Sequence, residues 1–258
     1  MRTIVVTGAA SGIGKTLARI LTERGERVIG VDLHDADVTV DLTTTEGRTA
    51  LVDGVRELTG GSIDAIVANA GLALPIPKTV AVNFFGALAT LEGLRPLLAG
   101  SAAPRASVTC SMASLYPPDA ELLDALLAED EPAALARAEE LAADTQTGTL
   151  IYGTTKQALA KWIRRHATGP QWAGAHIPLN GIAPGIVVTP MTHDLMATKE
   201  AVDALLQQVP MPLNGPMEPE VPAHLHAWLV SEENSHLCGQ IVFVDGGSDV
   251  AIRGDATW

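Results

Sequence analysis

Thr7-Gly8-Ala9-Ala10-Ser11-Gly12-Ile13-Gly14 is the stretch on which the reading of this chain turns. It follows the apolar run Thr3–Val6 and precedes a helical pattern over Lys15–Arg24. Glycines there allow a tight turn and let the main chain approach a pyrophosphate. The helix that follows presents its N–H groups and the positive end of its dipole. A glycine-rich string alone is weak evidence, but one placed between a strand and a helix is much stronger than a plain βα turn. Asp32 ends the second apolar run, 18 residues after Gly14. An acid in that place can accept hydrogen bonds from adenine ribose hydroxyls and repel a 2′-phosphate, although Asp is also at home capping a loop. Neither Ser11 nor Leu33 supplies a compensating base. The ligand expected is NAD rather than NADP.

Outward from this turn, short apolar runs alternate with helical patterns. The runs are Thr3–Val6, Arg27–Val31, Ile63–Val67, Ser107–Cys110, Ala175–Ile182 and Gln240–Val244. Between them lie Lys15–Arg24, Glu46–Thr59, Val80–Ala99, Tyr152–Ala167 and Pro219–Val230. Strands alternating with helices of ten or more residues imply βαβ units and a parallel sheet. Near-continuous apolar strands agree, because such a sheet is covered on both faces. No repeat or low-complexity linker divides the chain, so residues 1–258 read as one doubly wound α/β domain.

Pro117–Thr147 breaks the alternation. It holds nine acidic residues and one base, Arg137, and so carries −8 of the chain's net −13. Leu122, Leu123, Leu126 and Leu127 recur at helical spacing, as do Leu135, Ala138, Leu141 and Ala142. Pro132 suits the first turn of a second helix. The segment reads as an inserted helical hairpin with one apolar face. It is either a solvated acidic cap, a wall of the substrate site, or a block on an interface between copies.

Composition narrows the function. Of 258 residues, 47% are hydrophobic and 18% charged, which excludes a disordered chain. The acidic balance opposes phosphate backbones and anionic membranes, so neither nucleic acid nor a membrane is an expected partner. No stretch approaches a membrane span, and Ile4–Val6 is too short for a signal-peptide core. Cys110 and Cys238 suggest no disulfide framework and fit a reducing cytoplasm. His224 and His226 are two apart and would face different sides of a helix, so no metal site is expected.

The chain has two tyrosines, and only Tyr152 is followed four residues on by a lysine, Lys156. On a helix that spacing places both side chains on one face. An ammonium there would lower the phenol pKa from about 10 toward neutrality, suiting it to proton transfer. Ordinary helix surfaces also carry such pairs; the nucleotide turn upstream makes this one informative.

With these residues in place the chain resembles the short-chain dehydrogenase/reductase family of single-domain type. The matches are the TGxxxGIG turn, Asp32, Asp41-Leu42, Asn69-Ala70-Gly71, Asn83 within Val82–Gly86, a serine ending a strand, and Tyr152 with Lys156. Pro184-Gly185, Thr189-Pro190 and Asp245-Gly246-Gly247 complete the set. The resemblance implies a Rossmann fold and reversible hydride transfer between a nicotinamide and an alcohol or carbonyl carbon. It implies Tyr152 as general acid or base, Lys156 as its partner and ribose ligand, Asn83 as holder of a relay water, and a serine beside them. Ser111 directly follows the run Ser107–Cys110 and is preferred over Ser114, which would line the pocket. The implied cofactor contacts are Gly8, Ser11, Gly12, Ile13 and Gly14 at the phosphates; Asp32, Leu33, Asp41, Leu42, Asn69, Ala70 and Gly71 on the adenosine side; and Pro184, Gly185, Ile186, Val187 and Thr189 toward the carboxamide. The insertion, Asp32–Ala36, Ser111–Ser114 and the stretch Asp245–Val250 resemble more narrowly the bacterial 3α-hydroxysteroid dehydrogenase/carbonyl reductase branch.

The expected substrate is a bulky apolar alcohol or ketone, steroid-like or aromatic, bounded by Leu72–Pro77, Ser114–Tyr116, Thr149–Ile151 and Pro190–Met196. A non-catalytic NAD-binding sensor on the same fold is the alternative; retention of both Tyr152 and Lys156 argues against it. A sugar-nucleotide epimerase or dehydratase would need an added domain for which the chain has no room. If the acidic hairpin covers the helices Val80–Ala99 and Tyr152–Ala167, a homodimer is expected through the last strand and the tail Ile252–Trp258.

Overall fold

The computed structural model describes residues 1–256. Seven parallel strands form one sheet in the order β3-β2-β1-β4-β5-β6-β7. They are β1 (Thr3–Thr7), β2 (Arg27–Asp32), β3 (Val38–Thr39), β4 (Ala65–Ala68), β5 (Arg105–Thr109), β6 (Leu179–Pro184) and β7 (Ile241–Val244). The order reverses between β1 and β4, where Val6 pairs with Val67. A crevice therefore opens beyond the carboxyl ends of these two strands.

Alternate side chains of each strand face opposite layers. Ile4 and Val6 of β1, with Ala65 and Val67 of β4, pack on α1 (Gly12–Glu23) and on the helix Glu220–Leu229 near the end of the chain. Val5, Ile66, Ala106 and Val108 face the other layer. That layer holds α2 (Thr45–Thr59), α3 (Pro77–Val80), α4 (Ala87–Leu94) and a helix over Leu150–His166. The doubly wound parallel sheet read from the sequence is the architecture observed.

The helix expected over Val80–Ala99 is not continuous. A π-helical turn, Ala81–Gly86, joins α3 to α4, and a 3₁₀ turn, Arg95–Gly100, follows. Pro96 lacks the N–H that would continue the ladder. A Cβ on Gly86 would lie 3.2 Å from both Leu42 Cβ and the Leu42 carbonyl oxygen, a close approach that the absent side chain eases. The run expected over Ala175–Ile182 pairs as a strand only from Leu179; His176, in a left-handed conformation, ends the 3₁₀ turn before it.

The insertion is helical: α5 (Ala120–Leu127), α6 (Glu131–Ala142) and the single turn α7 (Thr145–Gly148) precede α8 (Leu150–His166). Asp119 and Asp130 accept hydrogen bonds from Leu122 N and Ala133 N and cap α5 and α6. Pro132 lies in the first turn of α6. Leu122, Leu123, Leu126 and Leu141 are buried in the same core as α8. At about 1.5–3 kcal/mol for each buried leucine, this contact holds the hairpin down. Polar ties add direction: Trp162 Nε1 donates to Glu129 at 2.9 Å, and Arg48 grips both carboxylate oxygens of Glu131 at 2.7 Å. Arg137, the single base of the segment, pairs with Asp119, Glu121 and Glu140. The remaining helices are α9 (Lys199–Gln208), α10 (Glu220–Leu229) and α11 (Ser248–Arg253). α9, α11 and the two-residue β3 were not expected. α9 buries none of its residues fully; its apolar stripe, Ala201, Val202, Leu205 and Leu206, is only half-buried.

Candidate active site

The phosphate turn has the geometry its glycines require. Gly8 and Gly12 take φ of 72° and 50°, the left-handed region that costs other residues energy. A Cβ on Gly14 would stand 2.1 Å from the Gly8 carbonyl oxygen, so no side chain fits. At α2, α5 and α6 a Thr or Asp side chain caps the helix. Ser11 at the start of α1 makes no such bond, which leaves that helix end open to an anion. This cradle fits a pyrophosphate. Asp32 accepts from Ala10 N at 2.8 Å and Leu33 N at 2.7 Å, locking the turn to the end of β2.

A cleft of about 800 Å³, its open mouth included, runs from this turn across the strand ends. Along it lie Ser111, just past β5, and Tyr152 and Lys156, one turn apart on α8. Tyr152 and Ser111 line the cleft together, and the Ser111 hydroxyl is near enough to the phenol to draw its pKa down. Ser111 Oγ also accepts from Ala113 N, which fixes the serine at the start of a 3₁₀ turn. Lys156 is 4% exposed, and its Nζ donates to the Thr109 carbonyl at 2.8 Å. Burial lowers its pKa to about 8 and pushes the neighbouring Cys110 thiol up to about 12, so that thiol stays neutral. The expected lowering of the Tyr152 pKa by Lys156 is not what the geometry gives. Burial raises the phenol and the Ser111 hydroxyl partly offsets it, while the Lys156 ammonium sits 5.7 Å from the ring centroid.

Fourteen of the residues expected at the site line this cleft: Gly8, Ser11, Gly12, Ile13, Asn69, Ala70, Gly71, Ser111, Tyr152, Lys156, Pro184, Gly185, Val187 and Thr189. Gly14, Asp32, Leu33, Asp41, Leu42, Asn83 and Ile186 stand behind or beside it. Asp41 turns its carboxylate into its own loop, accepting from Thr43 N and Oγ1, and those bonds hold its pKa down. Leu42 and Ile186 are buried. Asn83 sits in the π turn with its side chain committed: Oδ1 accepts from Leu72 N, and Nδ2 donates to the Leu72 carbonyl and Thr155 Oγ1. It braces the loop after β4 beside Lys156. Ser114 does not line the cleft; its carbonyl accepts from Gln157. Among the described residues no cluster of possible metal ligands occurs, and no helix is long and apolar enough to cross a membrane.

Known proteins share the sequence pattern and the fold of this chain. A short chain dehydrogenase family model matches residues 2–121, and an Enoyl-(Acyl carrier protein) reductase family model matches residues 132–249. The 3-alpha-hydroxysteroid dehydrogenase/carbonyl reductase of Comamonas testosteroni is 33% identical over 98% of each chain. The cis-4-hydroxycyclohexanecarboxylate dehydrogenase of Sinomonas cyclohexanicum is 32% identical over 95% of this chain and 96% of its own. The crystal structure of the 3-alpha-hydroxysteroid dehydrogenase from Pseudomonas sp. B-0831, complexed with NADH, superposes with a TM-score of 0.88 at 36% identity, covering 98% and 99% of the two chains. The chain belongs to the short-chain dehydrogenase/reductase family. It is an oxidoreductase of that family with a small-molecule substrate.

The sequence reading missed a set of polar residues behind the cleft. Thr7 Oγ1 accepts from the main-chain N–H of Asn69 and Ala70 at 3.0 and 3.1 Å. Thr109 Oγ1 donates to Asn69 Oδ1 at 2.9 Å. His226, fully buried on α10, lies 2.8 Å from both Ser107 Oγ and Thr109 Oγ1. The one signal in the sequence was the alternation of Ser107 and Thr109, which with Arg105 make one face of β5 polar while Ala106 and Val108 make the other apolar. Burial lowers the His226 pKa to about 3, against about 6.5 in an unfolded chain. The unfolded state therefore binds the extra proton between these values. The contribution of His226 is complete above about pH 6.5 and is lost as pH falls toward 3. Between about pH 6.5 and 5, the wild type should lose about 2 kcal/mol more unfolding free energy in urea than a Ser107→Ala/His226→Leu variant. Equal losses would mean that His226 does not stay neutral.

Proposed function

We propose that the protein transfers a hydride reversibly between NAD(H) and a secondary alcohol or ketone, with a bulky apolar substrate. The observation that carries this reading is that Ser111, Tyr152 and Lys156 line the same cleft as the glycine turn Gly8–Ile13. The bound nicotinamide would supply or accept the hydride. In reduction, Tyr152 donates its proton to the carbonyl oxygen as that oxygen gains charge, and Ser111 holds the same oxygen in place. In oxidation the proton returns to Tyr152. Lys156, held by the Thr109 carbonyl, keeps positive charge beside the ribose face of the cleft.

Two features support NAD over NADP. Asp32 ends β2, and Asp35 and Asp37 line the shallow depression beside Ala9 and Gly30. A 2′-phosphate there would meet carboxylates. An apolar substrate is supported by Met191, which lines the cleft about half exposed, and by Leu74 and Leu195, equally exposed in the segments that continue from its lining residues Leu72 and Thr192. The Tyr116 hydroxyl donates to the Gln208 carbonyl and holds the end of α9. The free cysteines fit a cytoplasmic protein.

The assembly proposed is a homodimer. The hairpin covers α8 and the helical run from Pro77, while β7 is an edge strand and Val250 and Ile252 on α11, with Val221 and Trp228 on α10, are exposed. Thr257 and Trp258, part of the tail assigned to this interface, lie outside the described residues. Light scattering at micromolar protein should give a dimer, and Trp228→Asp with Val250→Asp a monomer. A tetramer joined through α8 would contradict the proposal.

A panel of ketones with NADH and NADPH, followed by absorbance of the reduced cofactor, tests the reaction itself. Bulky apolar ketones should be reduced, with the higher kcat/KM for NADH. Tyr152→Phe should lose more than about 99% of turnover, in line with the loss of a general acid, yet keep NADH binding. Ser111→Ala should lose far more than Ser114→Ala. A preference for NADPH, or an active Tyr152→Phe, would overturn the respective assignment.

A further inference from the structure

Hydride transfer at Tyr152 does not explain why a histidine lies buried between the sheet and α10. His226 has no exposed surface, and both ring nitrogens are engaged by hydroxyls of one strand. Ser107 and Thr109 are two apart on β5 and so share the face that α10 covers.

The direction of each bond follows from its neighbours. Asn69 Nδ2 donates to the Thr7 carbonyl at 3.1 Å, so Oδ1 is the atom facing Thr109. Thr109 spends its one hydroxyl hydrogen on that oxygen. It can then only accept from His226, which places the imidazole hydrogen on Nε2. A neutral ring leaves Nδ1 as acceptor for the Ser107 hydroxyl. The chain therefore runs one way, from Ser107 through His226 and Thr109 to Asn69 and the end of β1. Asn69 Nδ2 fills the hollow of the phosphate turn, 2.9 Å from where a Gly8 Cβ would stand and 2.6 Å from that of Gly14. Thr109 meanwhile gives its main-chain carbonyl to Lys156 Nζ. One residue thus serves both halves of the cleft, its hydroxyl toward the cofactor turn and its carbonyl toward the lysine.

We propose that His226 is a positioning residue of the dinucleotide site: by fixing Thr109 it holds Asn69 beneath the phosphate turn and the carbonyl that anchors Lys156. The proposal rests on the reading of the cleft as an NAD(H) site. It assigns a role in binding to a helix that touches neither cofactor nor substrate. Replacing the ring by leucine leaves the Ser107 and Thr109 hydroxyls buried without their partner, and Thr109 is free to turn from Asn69.

The test uses the full chain. In His226→Leu, the Kd for NADH from fluorescence titration should rise roughly tenfold, the scale of one lost buried hydrogen-bond partner. The triple variant Ser107→Ala/Thr109→Val/His226→Leu removes every hydroxyl along with the ring. It should recover the melting temperature without recovering NADH affinity. A purely structural histidine would predict that the two recover together. Nitrogen-15 NMR of the wild type should show a neutral His226 with its proton on Nε2. Unchanged NADH affinity in folded His226→Leu, wild-type affinity in the triple variant, or a proton on Nδ1 would each overturn the proposal. A wild type that does not bind NADH at all would instead overturn the reading of the cleft on which the proposal rests.

Discussion

Thr7 closes β1, and its hydroxyl accepts two main-chain N–H groups from Asn69 and Ala70 just beyond β4. This joint lies where the strand order reverses, the place where an open parallel sheet leaves a crevice at its carboxyl edge. Thr7 is 1% exposed, so a bond lost here would leave a buried donor or acceptor without water. On one side the joint sets the glycine turn, because Asn69 occupies its hollow. On the other, through Thr109, it sets the carbonyl that receives Lys156. The glycine-turn end of the cleft and the end that holds Tyr152 and Lys156 are thus referred to one point in the sheet. Catalytic geometry needs that kind of rigid reference, because small displacements of a positioned group cost rate steeply.

The acidic insertion is a second constraint laid over this frame. Its leucines bury on the layer that also holds α8, the helix carrying Tyr152 and Lys156. Its charges are partly answered where it meets the body of the protein, at Arg48 with Glu131 and within the hairpin at Arg137. Arg48 also donates to the carbonyls of Leu42 and Ala81, at the loop before α2 and the start of the π turn. The hairpin is therefore tied to the elements that carry Leu42 and Asn83 rather than hanging as a free appendage, although none of its residues lines the cleft.

The sheet, its flanking helices and the hairpin were legible because hydrophobic periodicity and turn glycines report them directly: Thr3–Val6 before Gly8, and Leu122 and Leu126 one turn apart. The cleft-lining residues were legible because the glycine turn, Tyr152 with Lys156, and Asn69–Gly71 are local strings. What was not legible depends on distance in the chain. His226 meets Ser107 across 119 residues, and in the sequence it was a histidine beside another histidine. The π turn at Asn83 leaves no periodic signature, and β3 is too short to show one. The raised phenol pKa of Tyr152 follows from burial, which the i,i+4 spacing to Lys156 does not encode.

Direct hydride transfer between a nicotinamide and a carbonyl carbon in this carboxyl-edge cleft is the proposed reaction. Reduction of a bulky ketone by NADH deuterated on one face at C4 tests it most directly, with the product read by NMR. The account predicts that the deuterium of one C4 epimer, and not the other, appears on the carbinol carbon of the alcohol. Alcohol product without deuterium from either epimer, or deuterium released to solvent, would contradict it.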